Sequence, residues 1–306
     1  MSLALLFPGQ GTQHAGMLPW LDEQAAARAS LAQLAAVIGA DWRQRLADPA
    51  WAADNGHAQS LLTATSVAAW QCLAALLPAP AVVAGYSVGE LPAFCAAGVY
   101  DAATALQLAR LRAQAMSASV SGLATGLLAV QGLSPAAVAA ACQQHGLSVA
   151  IEMAIDRVVL GGPAAALQAA EAALGRSGAH CTRLAIGLAS HTPWMAAGAR
   201  QFAEQLQAVE FKSPRCTLIC NLGGGALRLP ADLRQALAAQ IAHTVRWSAC
   251  LESLAERGVR CVLEVGAGTT LSRLWAERGS PVPARSIDEF RSPAAVARWV
   301  HATLGR

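Results

Sequence analysis

The five residues Gly85-Tyr86-Ser87-Val88-Gly89 constrain this 306-residue chain more than any other segment. They follow Ala81-Val82-Val83-Ala84, an apolar run short enough for a buried strand, and lead into Leu91–Ala97, which reads as a helix. Glycines on either side of a serine at a strand-to-helix junction let the backbone turn sharply. The serine is then held in a strained conformation with its hydroxyl exposed. The next helix brings free N–H groups and the positive end of its dipole close to that hydroxyl. Three fixed positions in five recur by chance in many proteins. The flanking strand and helix are what make Ser87 a catalytic nucleophile able to carry an acyl group.

The rest of the chain reads as an α/β body with an insert. Residues 2–7 form a strand ended by Pro8-Gly9-Gln10-Gly11, and helical periodicity runs over 22–38, 60–76 and 102–117. Between 123 and 186 the texture changes to strand 123–130, helix 134–144, two strands within 147–160, helix 163–176 and strand 180–186. That is βαββαβ, the ferredoxin-like order. Strands and helices then alternate again: strand 217–221, helix 231–242, helix 247–256 and strand 261–265. The expected fold is therefore a hydrolase-like large α/β domain with a parallel sheet, residues 1–121 and 188–306, interrupted by a small ferredoxin-like domain, 122–187. Gly266-Ala267-Gly268 lacks the lysine of a phosphate loop and a third glycine, so it reads as a close backbone turn.

With 55% hydrophobic and 13% charged residues the chain is not disordered. Its net charge of +3 gives no reason to expect nucleic acid as a partner. Residues 55–89 carry no Asp, Glu, Lys or Arg, but polar side chains, two prolines and Gly85 interrupt them. They read as a buried helix and a buried strand rather than a membrane span. The N-terminus has no secretory pattern. The eight cysteines are scattered without metal-ligand spacing and read as buried free thiols in a cytoplasmic protein with no metal site.

A serine hydroxyl needs a base. Six of the seven histidines fall in loops or on helix surfaces, but His191, in Ala189-Ser190-His191-Thr192-Pro193, follows the return from the insert to the main body. The order nucleophile then base suits a hydrolase-type body. Arg110 and Arg112 lie about 200° apart around one helix, so one of them faces inward.

Several segments together resemble the malonyl-CoA:acyl carrier protein acyltransferase family. They are Phe7-Pro8-Gly9-Gln10-Gly11, Gly85-Tyr86-Ser87-Val88-Gly89-Glu90, Arg112 with Met116, Ser190-His191-Thr192-Pro193, Gln240 before Val245-Arg246-Trp247, and Glu264-Val265-Gly266. They span nearly the whole chain in the family's order. The chain is most similar to stand-alone enzymes that include the epsilon subunit of malonate decarboxylase. The resemblance implies a ping-pong reaction with no bound cofactor. Ser87 takes an acyl group from a coenzyme A thioester and passes it to the phosphopantetheine-type thiol of an acyl carrier protein, with His191 as base and acid. It also implies an oxyanion hole from the backbone N–H groups of Gln10 and Val88. A backbone carbonyl near Gln240 orients the imidazole in place of a carboxylate. Arg112 holds the substrate carboxylate, and Gln59, Met116 and Ser190 belong to the substrate pocket.

Four departures from the family pattern stand out: Tyr86 for histidine, Ser190 for phenylalanine, Met153 and Arg157 for asparagine and glutamine, and His243-Thr244 for a residue-proline pair. Ser190 leaves room for a methyl branch and so leaves malonyl and methylmalonyl both open. A serine hydrolase using water as acceptor and a non-catalytic scaffold subunit are the alternatives. Retention of Arg112 speaks against the first, and retention of Ser87, His191, Gln10 and Arg112 together speaks against the second. If Ser190 gates size, Ser190→Phe shifts the malonyl-to-methylmalonyl acylation ratio toward malonyl by roughly 10-fold or more. An unchanged ratio by competitive mass spectrometry removes that role.

Overall fold

The computed structural model describes residues 2–305. The run Leu3–Phe7 forms strand β1, and all five of its residues are buried. Leu3, Leu5 and Phe7 enter the main core on one face while Ala4 and Leu6 enter a second core on the other. Burial on both faces is what a continuous apolar run in a parallel sheet requires. β1 pairs in parallel with β2 (Val82–Gly85).

The insert supplies four more strands: β3 (Thr125–Gln131), β4 (Ser148–Ala154), β5 (Arg157–Pro163) and β6 (His180–Arg183). The remainder supplies β7 (Thr217–Ile219), β8 (Ala226–Leu227), β9 (Val245–Arg246), β10 (Cys261–Glu264) and β11 (Ala284–Ser286). The large sheet has the order β11-β10-β1-β2-β7-β8, parallel except for β8. Strand β2, which leads into Ser87, thus sits between β1 and β7, and the C-terminal ends of all three open on the same edge.

The second sheet has the order β6-β3-β5-β4-β9. Its first four members are antiparallel in the ferredoxin-like arrangement. One face carries Leu128, Val130 and Leu160 against the insert's own two helices. Leu127 and Val159 on the other face pack into the large body's second core. The fifth strand, β9, pairs in parallel with β4 and comes from outside residues 122–187.

Several boundaries differ from the sequence expectation for identifiable reasons. The expected helix 22–38 begins only at Arg28, after two tight turns, because Gln24 between them is extended and neither turn has a side-chain cap. The expected helix 60–76 starts earlier, at Asn55, where the Asp54 carboxylate accepts the His57 N–H. It ends at Leu73. Strand 180–186 stops at Arg183, and residues 184–186 line a cleft instead. Helix 231–242 stops at Ala239, which frees the next carbonyls for other partners. Among the described residues no helix is long and apolar enough to cross a membrane.

The turn after β2 depends on close approach. A Cβ on Gly85 would collide with the backbone of Gly89 and Glu90, and one on Gly89 with the carbonyls of Phe7 and Pro8. Gly85→Ala and Gly89→Ala should each destabilise the chain by about 1–3 kcal/mol through backbone displacement. Urea denaturation reads the loss, and an unchanged midpoint would show that the turn has slack.

Candidate active site

Ser87 and His191 are both in the left-handed backbone region, with φ of 55° and 63°. For residues with a Cβ this conformation is strained and persists only when the surroundings impose it. The strained elbow expected at Ser87 is present, and the matching strain at His191 had no sequence signal. The Ser87 Oγ and His191 Nε2 atoms are 2.7 Å apart. His191 Nδ1 lies 2.6 Å from the Gln240 carbonyl oxygen. That oxygen can only accept, so Nδ1 carries the proton and the Nε2 lone pair faces the serine hydroxyl. The His191 backbone N–H also donates to the Ile241 carbonyl, at 2.8 Å. Termination of the helix at Ala239 presents both carbonyls, and among the described residues His191 Nδ1 is bonded to a backbone carbonyl rather than to a carboxylate.

Of the two arginines, Arg110 is exposed and Arg112 is only 1% exposed. Arg112 Nη1 donates to Gln59 Oε1 at 2.7 Å. Its Nη2 lies 3.3 Å from Gln240 Oε1 and 3.5 Å from Ser87 Oγ. Gln59 is held in turn by Asn55, one helical turn earlier, through a 2.7 Å bond from Nε2, and Nε2 also touches the Met116 sulfur. Met116 lies one turn after Arg112 and is equally buried. Arg112 Nε has no hydrogen-bond partner among the described residues, and no carboxylate lies within ion-pair distance of the guanidinium. A buried cation of this kind is half of an ion pair.

Burial pushes the Arg112 pKa down to about 10, with Glu90 partly opposing this, so the side chain stays charged. Burial first, and the Arg112 charge second, push His191 down from its ordinary 6.5 to about 3; the bond to Gln240 opposes them. Glu90, on the first turn of the helix after the elbow, is raised to about 8 by burial and is protonated near neutrality.

The Val88 N–H sits at the second position of the short turn Ser87–Gly89, where no intrahelical acceptor exists. Gln10 lines a cleft of about 920 Å³ between the two sheets, together with Tyr86, Met153 and Arg157. Tyr86 stacks edge-on against the buried Trp247, with ring centroids 5.1 Å apart. Ser190 is buried beside His191. Arg157 forms a 2.7 Å ion pair with Glu277 of the large body. The Thr244 hydroxyl donates to the Val149 carbonyl of β4 at 2.7 Å, which gives the threonine of the His243-Thr244 departure a structural role.

Asn221 was not anticipated. Its side chain accepts the Ser87 N–H at 2.7 Å. The available signal was a polar residue at the C-terminal end of the strand beside the nucleophile strand, where α/β sheets place their sites. All eight cysteines are free thiols. Among the described residues no group of three or more His, Cys, Asp or Glu side chains is placed to hold a metal ion.

The lowered histidine pKa has a direct consequence. A group whose folded pKa falls to about 3 keeps its neutral, proton-accepting form at every higher pH. The rate at which a fluorophosphonate labels Ser87 should therefore stay flat from pH 8 to pH 5. A decline with its midpoint near 6.5 would show that His191 is solvated like a free imidazole.

Comparison with known proteins agrees with this geometry. Residues 4–285 match the family model described as "Acyl transferase domain". The chain is 31% identical to the malonyl CoA-acyl carrier protein transacylase of Haemophilus influenzae over 97% of this chain and 98% of that protein. It is 33% identical to the transacylase of the same name from Mycobacterium bovis over 95% and 97%. The crystal structure of the malonyl-CoA:acyl carrier protein transacylase of Xanthomonas oryzae superposes with a TM-score of 0.89, at 31% identity over 99% of each chain. A malonyl-transacylase solved in complex with a type II polyketide acyl-carrier protein superposes with a TM-score of 0.87, at 27% identity over both full chains. The strained Ser87–His191 pair and the buried Arg112 thus sit in a chain that belongs to the acyl transferase domain family.

Proposed function

We propose that the chain transfers a malonyl group from coenzyme A to the phosphopantetheine-type thiol of an acyl carrier protein through an acyl ester on Ser87. The observation that carries this reading is Arg112, a buried cation without a carboxylate partner, 3.5 Å from the Ser87 hydroxyl. An acyl group ending in a carboxylate completes that ion pair while its thioester carbonyl lies against Ser87. The names of the relatives support malonyl-CoA and an acyl carrier protein as partners.

The chemistry follows from the proton positions. His191 Nε2 takes the Ser87 proton as Oγ attacks the thioester carbonyl, and the Gln10 and Val88 N–H groups stabilise the oxyanion. As the carbon–sulfur bond breaks, His191 returns that proton to the departing coenzyme A sulfur, leaving malonyl-Ser87. The carrier thiol then gives its proton to His191 and attacks the ester. Collapse releases the malonyl thioester and restores the Ser87 hydroxyl. The charge on Arg112 favours neutral His191 between these steps and so keeps the base ready. Gln59 and Gln240 hold the guanidinium in one plane, Met116 supports Gln59, and Ser190 leaves space beside the base that suits malonyl or a methyl-branched relative. No cofactor takes part.

The cleft between the sheets suits the pantetheine arm, with Met153 and Arg157 on its wall. We further propose the large unit, 1–121 with 188–306, as the carrier of the dyad, and the unit 122–187 as the wall of the thioester path. Malonyl transfer is the function proposed; service to a malonate decarboxylase system is a narrower assignment that genome neighbours decide.

Brief exposure to malonyl-CoA should give a mass-detected malonyl adduct on Ser87 that a carrier protein discharges. Continued coenzyme A release beyond one equivalent per chain without carrier would point to hydrolysis, and the absence of any adduct removes the proposal. Arg112→Ala should slow malonyl loading at least about thirtyfold, the equivalent of about 2 kcal/mol, and acetyl loading far less. Equal losses would remove the carboxylate role.

A further inference from the structure

One fully buried side chain that the transfer steps do not use is bound to the elbow on both sides. Asn221 lies two residues beyond β7 and has no exposed surface. Its Oδ1 accepts the Ser87 N–H at 2.7 Å, and its Nδ2 donates to the Gly85 carbonyl at 2.6 Å. One amide therefore bridges the backbone just before the nucleophile and at it. The orientation is unambiguous, because a flipped amide would set donor against donor and oxygen against oxygen. The backbone of Asn221 is equally committed. Its N–H donates to Glu90 Oε1 at 2.7 Å, and its carbonyl accepts the Arg246 N–H of β9 at 3.0 Å. Every strong polar group of this residue is paired, and two of the four partners belong to the elbow.

We propose that Asn221 is the positioning residue of the nucleophile. It holds Ser87 in the left-handed conformation, and it occupies the Ser87 N–H so that the Val88 N–H alone faces the developing oxyanion from this turn. The proposal rests on the reading of Ser87 as the acyl carrier. It adds to that reading a residue at the end of the adjacent strand, because β7 lies directly beside β2 in the sheet.

The aspartate substitution separates positioning from bulk. A neutral carboxyl in place of the amide still accepts the Ser87 N–H and donates to the Gly85 carbonyl, whereas an ionised one cannot donate. The titratable residues bonded to this position are Glu90, Cys250 and, through its backbone, Arg246, with Cys220 next in the chain; Arg112, Tyr100 and His191 are linked to it through Glu90 and Arg112. Of these, Glu90 is the one expected to titrate between pH 5 and 8, so Glu90→Gln serves as the control background.

The experiment measures single-turnover acylation of Ser87 by malonyl-CoA in the full chain by mass spectrometry. Asn221→Ala should slow acylation by roughly 10- to 100-fold at saturating malonyl-CoA, with the half-saturating concentration changed by less than about twofold. Asn221→Asp should be slow at pH 8 and recover toward pH 5 in both the native and the Glu90→Gln backgrounds, while the unsubstituted chain stays flat. Acylation of Asn221→Ala at the native rate overturns the proposal. Rates that instead track the loss of melting temperature in both variants, with no recovery at low pH, also overturn it. If Asn221→Ala does not fold, the pH series on Asn221→Asp decides alone. Failure of the unsubstituted chain to form any adduct overturns the function reading itself, a distinct outcome.

Discussion

The left-handed backbone at Ser87 is the constraint around which the rest of the molecule is arranged. A residue with a Cβ does not rest there unaided. Here the strand before it, the turn after it and the carbonyls of β1 approach so closely that positions 85 and 89 admit no side chain. The same packing that forbids a Cβ at the flanking glycines leaves Ser87 Oγ pointing out of the sheet edge. His191 is strained in the same sense and is anchored through ring and backbone to two successive carbonyls, those of Gln240 and Ile241. The pair meets because both partners are held, and neither has to be ordered when the substrate arrives.

The second organising element is a charge. A guanidinium buried without a carboxylate is costly in the free chain, and its effects reach the groups around it. It adds to the burial that holds His191 neutral, and it offsets part of the burial that keeps Glu90 protonated. Its hydrogen-bond partners among the described residues are the amides of Gln59 and Gln240 and the Ser87 hydroxyl. An acyl group that ends in a carboxylate relieves this cost, and one that does not leaves it standing. Discrimination of this kind, set by an unpaired buried group, exceeds what apolar shape alone provides.

The elbow, the base and the inward arginine were legible because each has a local signature: glycine spacing at a strand end, a histidine where the insert returns, and two arginines on opposite helix faces. The insert's four strands were legible from alternation and turn residues. Asn221 and Thr244 were not, because their roles depend on which strands lie side by side, and sheet order is not written locally. β9 is two residues long and has no periodicity to read. The helix ends that mattered most, at Ala239 and at Asn55, are fixed by what the freed carbonyls and the Asp54 carboxylate bind. Propensity alone places such ends within a few residues.

The short strand β9 has a consequence for how the two sheets can be treated as modules. Its chain belongs to the large body, its pairing partner is β4 of the insert, and Thr244 and Arg246 at its ends tie it to Val149 and Asn221. A graft exchanging only residues 122–187 with a relative would set a foreign β4 against the native β9, and a mismatch there would leave an open sheet edge, the surface on which foreign strands add and chains aggregate. Inheritance of the insert therefore extends across a gap in the chain. Recombination that respects the fold must move the dipeptide at 245–246 along with it.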